Sequence, residues 1–317
     1  MMKEKIKELW PECQFEVDLA PYTTFHLKSL AAAFLLVKTK TDLVTAVTKA
    51  KAHNLPYLIL AGGSNLVLAD KLTDRLVICY RSDLKLENIK LNNLEVMTPA
   101  GVKLADLVDQ TIEAGLEGLS ALAGIPGTVG GAIVGNAGAY GQTISDHLVE
   151  IEIFDGQDIK VLAKTEIAFA YRQSILKTKP WLVLSVKFLL REGDKTKLKT
   201  KAEEIIAIRN KRYPRELKCP GSFFKNILAT DVSPQTLSLI PETEIIAGKI
   251  PAGYLLDQIQ AKNLTCGGIK VSDWHGNLIV NTGTGTYEEV CQLADLLKQK
   301  VQAKFGILLA EEVRFVT

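Results

Sequence analysis

The chain has 317 residues, 38 Lys+Arg against 36 Asp+Glu, 47% hydrophobic and 23% charged residues, a globular composition that excludes disordered and fibrous classes. At this length two domains or two lobes are expected, each able to bury a core without staples. A net charge of +2 gives no general attraction to nucleic acid, so a small anionic ligand met by locally placed donors is expected instead.

The N-terminus MMKEKIKELWPE lacks the apolar core of a signal peptide, and the longest apolar run, Leu30 to Val37, is too short to span a bilayer. A cytoplasmic protein with no membrane insertion is expected. Thr41 is expected to cap a helix through Leu43, Val44, Val47 and Ala50, stopped by Asn54-Leu55-Pro56. The strand Tyr57 to Leu60 then runs into the turn Ala61-Gly62-Gly63-Ser64-Asn65 and a second apolar segment, Leu66 to Leu68. Strands are expected at Leu76 to Tyr80 and Leu94 to Thr98, and a helix over Lys103 to Ala114.

Val149, Ile151 and Ile153 alternate with Glu150 and Glu152, and Asp155-Gly156 turns the chain into Ile159 to Leu162, which predicts a hairpin. After a strand at Trp181 to Leu190, composition shifts to the charged stretch Arg191 to Lys201 and a helix through Ile205, Ile206 and Ile208. The main domain boundary is expected there, giving domains 1–192 (two lobes, about 1–80 and 81–192) and 193–317. The run Asn281 to Thr286 reads as a turn and helix cap, with Thr286-Tyr287-Glu288-Glu289 as the capping box of a helix ending near Phe305-Gly306. A final strand is expected at Glu312 to Val316.

Five scattered cysteines without a C-x-x-C pair argue against disulfides or structural zinc, and four dispersed histidines form no metal or Ser-His-Asp signature. The unusual stretch is GIPGTVGGAIVGNAGAYG at 124–141, with seven glycines in eighteen residues. Glycine lets backbone approach a ligand closely, and consecutive free N–H groups form a concave site for a pyrophosphate. With the Gly62-Gly63 turn this suggests two loops gripping a dinucleotide; the alternative is a tightly packed bend. The chain has neither a G-K-[ST] P-loop nor a strand leading into G-x-G-x-x-G.

The set of AGGSNL at 61–66, the glycine run at 124–141, YRQS at 171–174, GSFFKN at 221–226, AGYLLDQ at 252–258 and LAEEVRFV at 309–316 resembles the UDP-N-acetylenolpyruvoylglucosamine reductase family, in that family's order and over most of the chain. The resemblance implies an α+β fold: a two-lobed FAD-binding domain of the vanillyl-alcohol-oxidase/PCMH type, then a smaller C-terminal α+β substrate domain whose last strand returns to the active site. It implies an NADPH-dependent flavoenzyme of peptidoglycan precursor synthesis, monomeric, with non-covalent FAD, that reduces UDP-N-acetylglucosamine enolpyruvate to UDP-N-acetylmuramate.

By that resemblance Gly62, Gly63, Ser64 and Asn65, with the backbone of Gly124, Ile125, Pro126, Gly127, Thr128, Gly130 and Gly131, hold the FAD pyrophosphate. Asn136, Gly138, Ala139 and Tyr140 lie against the flavin. Hydride addition to the vinyl carbon leaves negative charge beside the carboxylate, which needs stabilisation and then a proton. Ser222 matches the family's proton donor, and Arg172 and Glu312 its stabilisers; a Glu helps there only when protonated or held in a hydrogen bond. Arg212 in R-x-x-R-x-P, Lys225, Asn226, Gln258 and Arg314 match substrate-binding positions.

The chain departs from the family pattern at several positions. Only fifty residues separate Arg172 from Ser222, too few for the substrate-capping loop of one branch, so the chain resembles the branch without it. Lys28-Ser29 stands in place of a Gly pair, Asn226 where the shorter branch often carries Arg, Ile227 in place of proline, and Glu311 in place of proline. The competing readings are another FAD oxidoreductase of the same fold, and a nucleotide-sugar binding protein without turnover.

Overall fold

Alternation of Ile151 and Ile153 with glutamates turns one face of the strand Leu148–Phe154 into a core, and Asp155 closes the next turn by accepting from the N–H groups of Gln157 and Asp158, both at 2.8 Å. The structure, a computed structural model, describes residues 2–82, 89–214 and 216–317. This strand pairs antiparallel with Ile159–Ala163 on one side and Leu182–Leu189 on the other. Glu95–Pro99 and Lys90–Asn92 complete a five-stranded sheet. A four-stranded sheet runs in the order Gln14–Asp18, Leu30–Val37, Lys71–Tyr80, Tyr57–Leu60, its last pair parallel. Residues of both sheets, among them Leu35, Ile78, Ile151 and Phe188, belong to one buried cluster.

Helix Leu104–Glu113 buries Leu104, Leu107, Val108 and Ile112 in that cluster, the stripe that its spacing predicts. Helix Lys40–Ala52 is capped by Thr39 and not by Thr41: Thr39 has the extended backbone of an N-cap and its hydroxyl accepts from the Asp42 N–H at 3.0 Å, whereas Thr41 already lies in the first turn. Helix Lys195–Arg212 begins inside the charged stretch where the sequence places a boundary. Its Leu198, Ala202 and Ile205 lie in the same buried cluster while its lysines stay outside.

The chain accordingly divides later than its composition suggests. One compact unit comprises Met1–Val17, Ala31–Gly62 and Thr73–Lys211, the other Asp18–Leu30, Gly63–Leu72 and Arg212–Thr317. The second has its own core, including Phe25, Leu27, Val67, Phe223, Phe224, Leu255, Leu297 and Phe305. Its long helix Tyr287–Phe305 opens on the expected capping box: the Thr286 hydroxyl accepts from the Glu289 N–H at 3.3 Å, the Glu289 carboxylate accepts from the Thr286 N–H at 2.9 Å, and Gly306 ends the helix. Thr265–Cys266, Ile269–Val271 and Ile279–Asn281 form an antiparallel sheet, and Arg314–Val316 pairs parallel with Leu66–Leu68. Among the described residues no helix is long and apolar enough to cross a membrane.

Candidate active site

In the first unit the glycine run is not a continuous loop. Val129–Gly135 is a short helix despite its glycines, capped by the Thr128 hydroxyl, which accepts from the Gly131 N–H at 3.2 Å. The N–H groups of Val129 and Gly130 donate to the carbonyls of Val102 and Ala100 at 2.9 and 2.8 Å, and that of Ile125 to Leu122 at 3.1 Å. Three of the N–H groups expected at a pyrophosphate, those of Ile125, Gly130 and Gly131, therefore already have protein acceptors. Those of Gly127 and Thr128 make no hydrogen bond to protein among the described residues, and they define the open part of the segment. A Cβ on Gly62 would lie 3.0 Å from the Gly127 carbonyl carbon and closer still to its Cα, so glycine here permits two backbones to meet. At Gly63, in the second unit, φ is +60° and a Cβ would meet the Tyr22 carbonyl and, at 2.8 Å, the Thr23 Cα.

Asn136 ends the helix in the left-handed region, and its amide donates to the Ala170 carbonyl at 3.0 Å. Its Oδ1, like Gln142 Oε1, is buried without a hydrogen-bond partner among the described residues, which leaves two acceptors able to take donors from a ligand. Between them Gly138–Ala139 and Gln142–Thr143 form a tight hairpin whose tip, Tyr140-Gly141, has positive φ at both residues. Tyr140 is half exposed there. Arg172 sits at another strained tip, φ +56°, where Ala170 and Gln173 exchange hydrogen bonds of 3.1 and 3.0 Å, and its carbonyl accepts from Lys177 Nζ at 2.7 Å.

The second unit brings four of the motifs together. The Glu312 N–H donates to the Phe223 carbonyl at 2.8 Å and the Lys225 N–H to the Ala310 carbonyl at 2.9 Å, so GSFFKN runs beside AEEVRF with Ser222 and Glu312 on adjoining segments. Asn65, expected at the pyrophosphate, also ties this arrangement: its side-chain amide donates to the Glu312 carbonyl at 2.9 Å and its backbone carbonyl accepts from the Arg314 N–H at 2.9 Å. Asn226 Oδ1 accepts from the Ala252 N–H at 3.2 Å, at the start of the helix Ala252–Gln258, which leaves its NH₂ for other work. Gln258 and Arg314 are exposed, and the Gln258 carbonyl accepts from Lys304 Nζ at 2.6 Å. Arg212 is also exposed, its carbonyl accepting from Trp274 Nε1 at 2.9 Å.

The departures from the family pattern have structural uses. Glu311 meets Lys298 at 2.8 Å, the buried Ser29 hydroxyl donates to the Ala69 carbonyl at 2.6 Å, and Ile227 pairs with Ile250 across a short ladder.

Two side chains that the sequence does not single out complete this region. Tyr213 Oη lies 3.2 Å from Ser222 Oγ. Asn277, 3% exposed, holds the segment that carries Ser222: its Oδ1 accepts from the Phe224 N–H and its Nδ2 donates to the Phe224 carbonyl, each at 2.8 Å, while its own carbonyl accepts from the Phe223 N–H at 3.0 Å. The Asn277 N–H donates to His275 Nδ1 at 3.0 Å, which leaves the His275 proton on Nε2. Burial first, and the nearby Arg212 charge second, lower the His275 pKa to about 4. Below about pH 6.5 the unfolded chain takes up a proton that the folded chain refuses, so this group's contribution to stability falls as pH drops from 6.5 toward 4 and levels off beneath that. A proton NMR titration is expected to show the His275 ring still neutral at pH 5.5; a midpoint near 6.5 would contradict the burial of its charge.

Residues 213–316 match the family described as UDP-N-acetylenolpyruvoylglucosamine reductase, C-terminal domain, and residues 31–161 match an FAD binding domain. A UDP-N-acetylenolpyruvoylglucosamine reductase of Solibacter usitatus is 36% identical over 94% of this chain and 95% of its own length. The chain belongs to the UDP-N-acetylenolpyruvoylglucosamine reductase family. A reductase of Rubrobacter xylanophilus is 32% identical over 98% of the chain and 97% of its own. The crystal structure of the reductase MurB from Thermus caldophilus superposes with a TM-score of 0.74 at 29% identity, over 96% of this chain and 98% of that one. The fold is thus the FAD-binding α+β type of the reductase family with its C-terminal α+β domain, as the motifs imply.

Proposed function

We propose that the chain reduces the enolpyruvyl ether of UDP-N-acetylglucosamine enolpyruvate to UDP-N-acetylmuramate, in the cytoplasm, as a monomer, with FAD as cofactor and NADPH as reductant. That reaction supplies peptidoglycan precursors, and so bears on cell-wall growth, shape and division. The observation that carries the reading is the junction of GSFFKN with AEEVRF in the second unit, because it sets a serine and a carboxylate of family-matching position on adjoining backbone.

The residues present fit FAD. The Gly62–Gly127 approach, the available N–H groups of Gly127 and Thr128, and the orphan acceptors of Asn136 and Gln142 suit a ligand bearing phosphate oxygens at one end and ring donors at the other. Gly62 to Asn65 and Gly124 to Gly131 would hold the pyrophosphate, and Asn136, Gly138, Ala139 and Tyr140 the ring. Because the Asn65 side chain is engaged by Glu312, its part is to fix the proton-donor region. When bound, FAD reduced by NADPH supplies the hydride that adds to the terminal vinyl carbon.

The chain's own groups manage the charge that results. Arg172, with a fork suited to carboxylate, and Glu312 stabilise the enediolate form of the substrate, and Ser222 Oγ gives its proton to the carbon beside the carboxylate. Arg212, Lys225 and Arg314 meet the diphosphate, with Asn226 and Gln258 supplying neutral donors and acceptors to uridine or sugar. By this reading the first unit supplies most of the cofactor residues together with Arg172, and the second most of the substrate residues together with Gly63, Ser64 and Asn65.

An anaerobic visible spectrum tests this directly. Addition of NADPH is expected to bleach the flavin band and UDP-N-acetylglucosamine enolpyruvate to restore it. Bleaching without return would assign the flavoenzyme another acceptor, and a preparation that takes up no flavin would end the reading.

A further inference from the structure

A serine is a poor acid for the work assigned to Ser222. Its alcohol is comparable in acidity to water and is a much weaker acid than a phenol. Proton loss from Ser222 Oγ alone leaves an alkoxide buried beside the substrate, and a stronger acid that donates to that oxygen in the same motion removes its charge. Such an acid is in place. Tyr213 Oη stands 3.2 Å from Ser222 Oγ, within hydrogen-bond reach, and both residues are partly buried.

The contact does not depend on two free-swinging side chains. Arg212, just before Tyr213, is fixed through its carbonyl by Trp274 Nε1 at 2.9 Å, and Pro214, just after it, accepts from the Leu217 N–H at 2.9 Å. Two residues beyond Ser222, both backbone groups of Phe224 are held by Asn277. Each hydroxyl thus projects from anchored backbone, the preorganisation that proton transfer requires.

We infer that Tyr213 is a positioning residue that orients Ser222 and returns a proton to it during turnover, an inference that rests on the proton-donor role proposed for Ser222. The Ser222 O–H bond breaks as the C–H bond forms beside the substrate carboxylate. The Tyr213 O–H bond breaks as the Ser222 O–H bond reforms, and the negative charge moves from substrate to phenolate. Solvent then protonates the phenolate, its O–H bond breaking as the phenol O–H reforms, and the negative charge leaves as hydroxide or the conjugate base of a buffer acid. No atom changes oxidation state in these steps, and each bond broken is matched by one formed. The direction follows from chemical class: a phenol is a stronger acid than an alcohol, so the proton passes from phenol to alkoxide.

The test uses the holoenzyme and the variant Tyr213→Phe, which keeps the ring and removes only the hydroxyl. Calorimetric binding of UDP-N-acetylglucosamine enolpyruvate to the oxidised enzyme and flavin bleaching by NADPH are expected to be unchanged. Flavin reoxidation by substrate is expected to slow about 10- to 100-fold, within the range that a positioned acid contributes. In mixtures of H₂O and D₂O the reoxidation rate of the unaltered enzyme should depend quadratically on deuterium fraction, for two protons in flight, and that of Tyr213→Phe linearly, for one. Reoxidation at the original rate, or slowed reoxidation with the curvature unchanged, would overturn the relay. Ser222→Ala separates this from the underlying reading: unimpaired reoxidation in that variant would remove Ser222 itself from the reaction, whatever Tyr213→Phe does.

Discussion

Ser222→Ala is expected to leave bleaching of the flavin by NADPH at its original rate and to slow reoxidation by UDP-N-acetylglucosamine enolpyruvate by about 10²- to 10⁴-fold, the usual contribution of a positioned general acid. The asymmetry comes from chemistry, since a proton is wanted at substrate carbon only after hydride has reached the double bond. It also comes from structure. Ser222 has one neutral partner among the described contacts, Tyr213 Oη, whereas the segment that carries it is fixed beyond it by Phe223, Phe224 and Asn277. Removing the hydroxyl therefore deletes a proton and leaves the fold intact. Stopped-flow absorbance at the flavin band resolves the two half-reactions, and a variant that reoxidises as fast as the parent would require another donor.

Asn277→Ala is expected to act on stability first. The substitution strips hydrogen bonds of 2.8 Å from both the N–H and the C=O of Phe224, a residue 1% exposed, and water cannot replace them in so dry a site. Leaving each group unsatisfied costs about 1–3 kcal/mol, so a loss of roughly 2–5 kcal/mol is expected in urea unfolding. Loss of less than about 1 kcal/mol would mean that the loop re-pairs those groups elsewhere. The same variant should loosen Ser222, so residual activity at low temperature is expected to fall more than the folded fraction does.

The elements that local chemistry determines were legible before any coordinates. The hairpin around Asp155-Gly156, the capping box at Thr286 and Glu289, and the helix over Leu104 to Glu113 each follow from residues within a few positions of one another. The family motifs were legible too, since their order along the chain is a sequence property. What escaped was non-local. Three glycines in seven residues argue against a helix by propensity, yet Val129–Gly135 is helical because the carbonyls of Ala100 and Val102 and the Thr128 hydroxyl satisfy its first N–H groups. The lysines of Lys195–Arg212 obscured a buried stripe of Leu198, Ala202 and Ile205, which moves the division between units to Lys211 and Arg212.

The site shows the same division between local and distant information. Ser222, Glu312 and Arg172 were named by motif, but Tyr213 occupies a variable position of R-x-x-R-x-P and Asn277 lies outside the quoted motifs, and only the folded second unit brings them to Ser222 and Phe224. Asn65 was named for a phosphate, and its amide serves the Glu312 backbone. A side chain with both a donor and an acceptor can meet either need, and sequence alone does not say which.

The tie between Asn65 and Glu312 spans 247 residues, and the neighbouring strand Leu66–Leu68 has Arg314–Val316 as its parallel partner. On the ribosome, at 5–20 residues per second, the early segment must wait roughly 10–50 s for that partner to be synthesised. Val67 and Phe25, which belong to the second core, stay without their final neighbours throughout this interval. The packing of Phe25, Val67 and the strand Leu66–Leu68 is therefore completed late in synthesis, relative to their own emergence, by residues made more than two hundred positions afterwards.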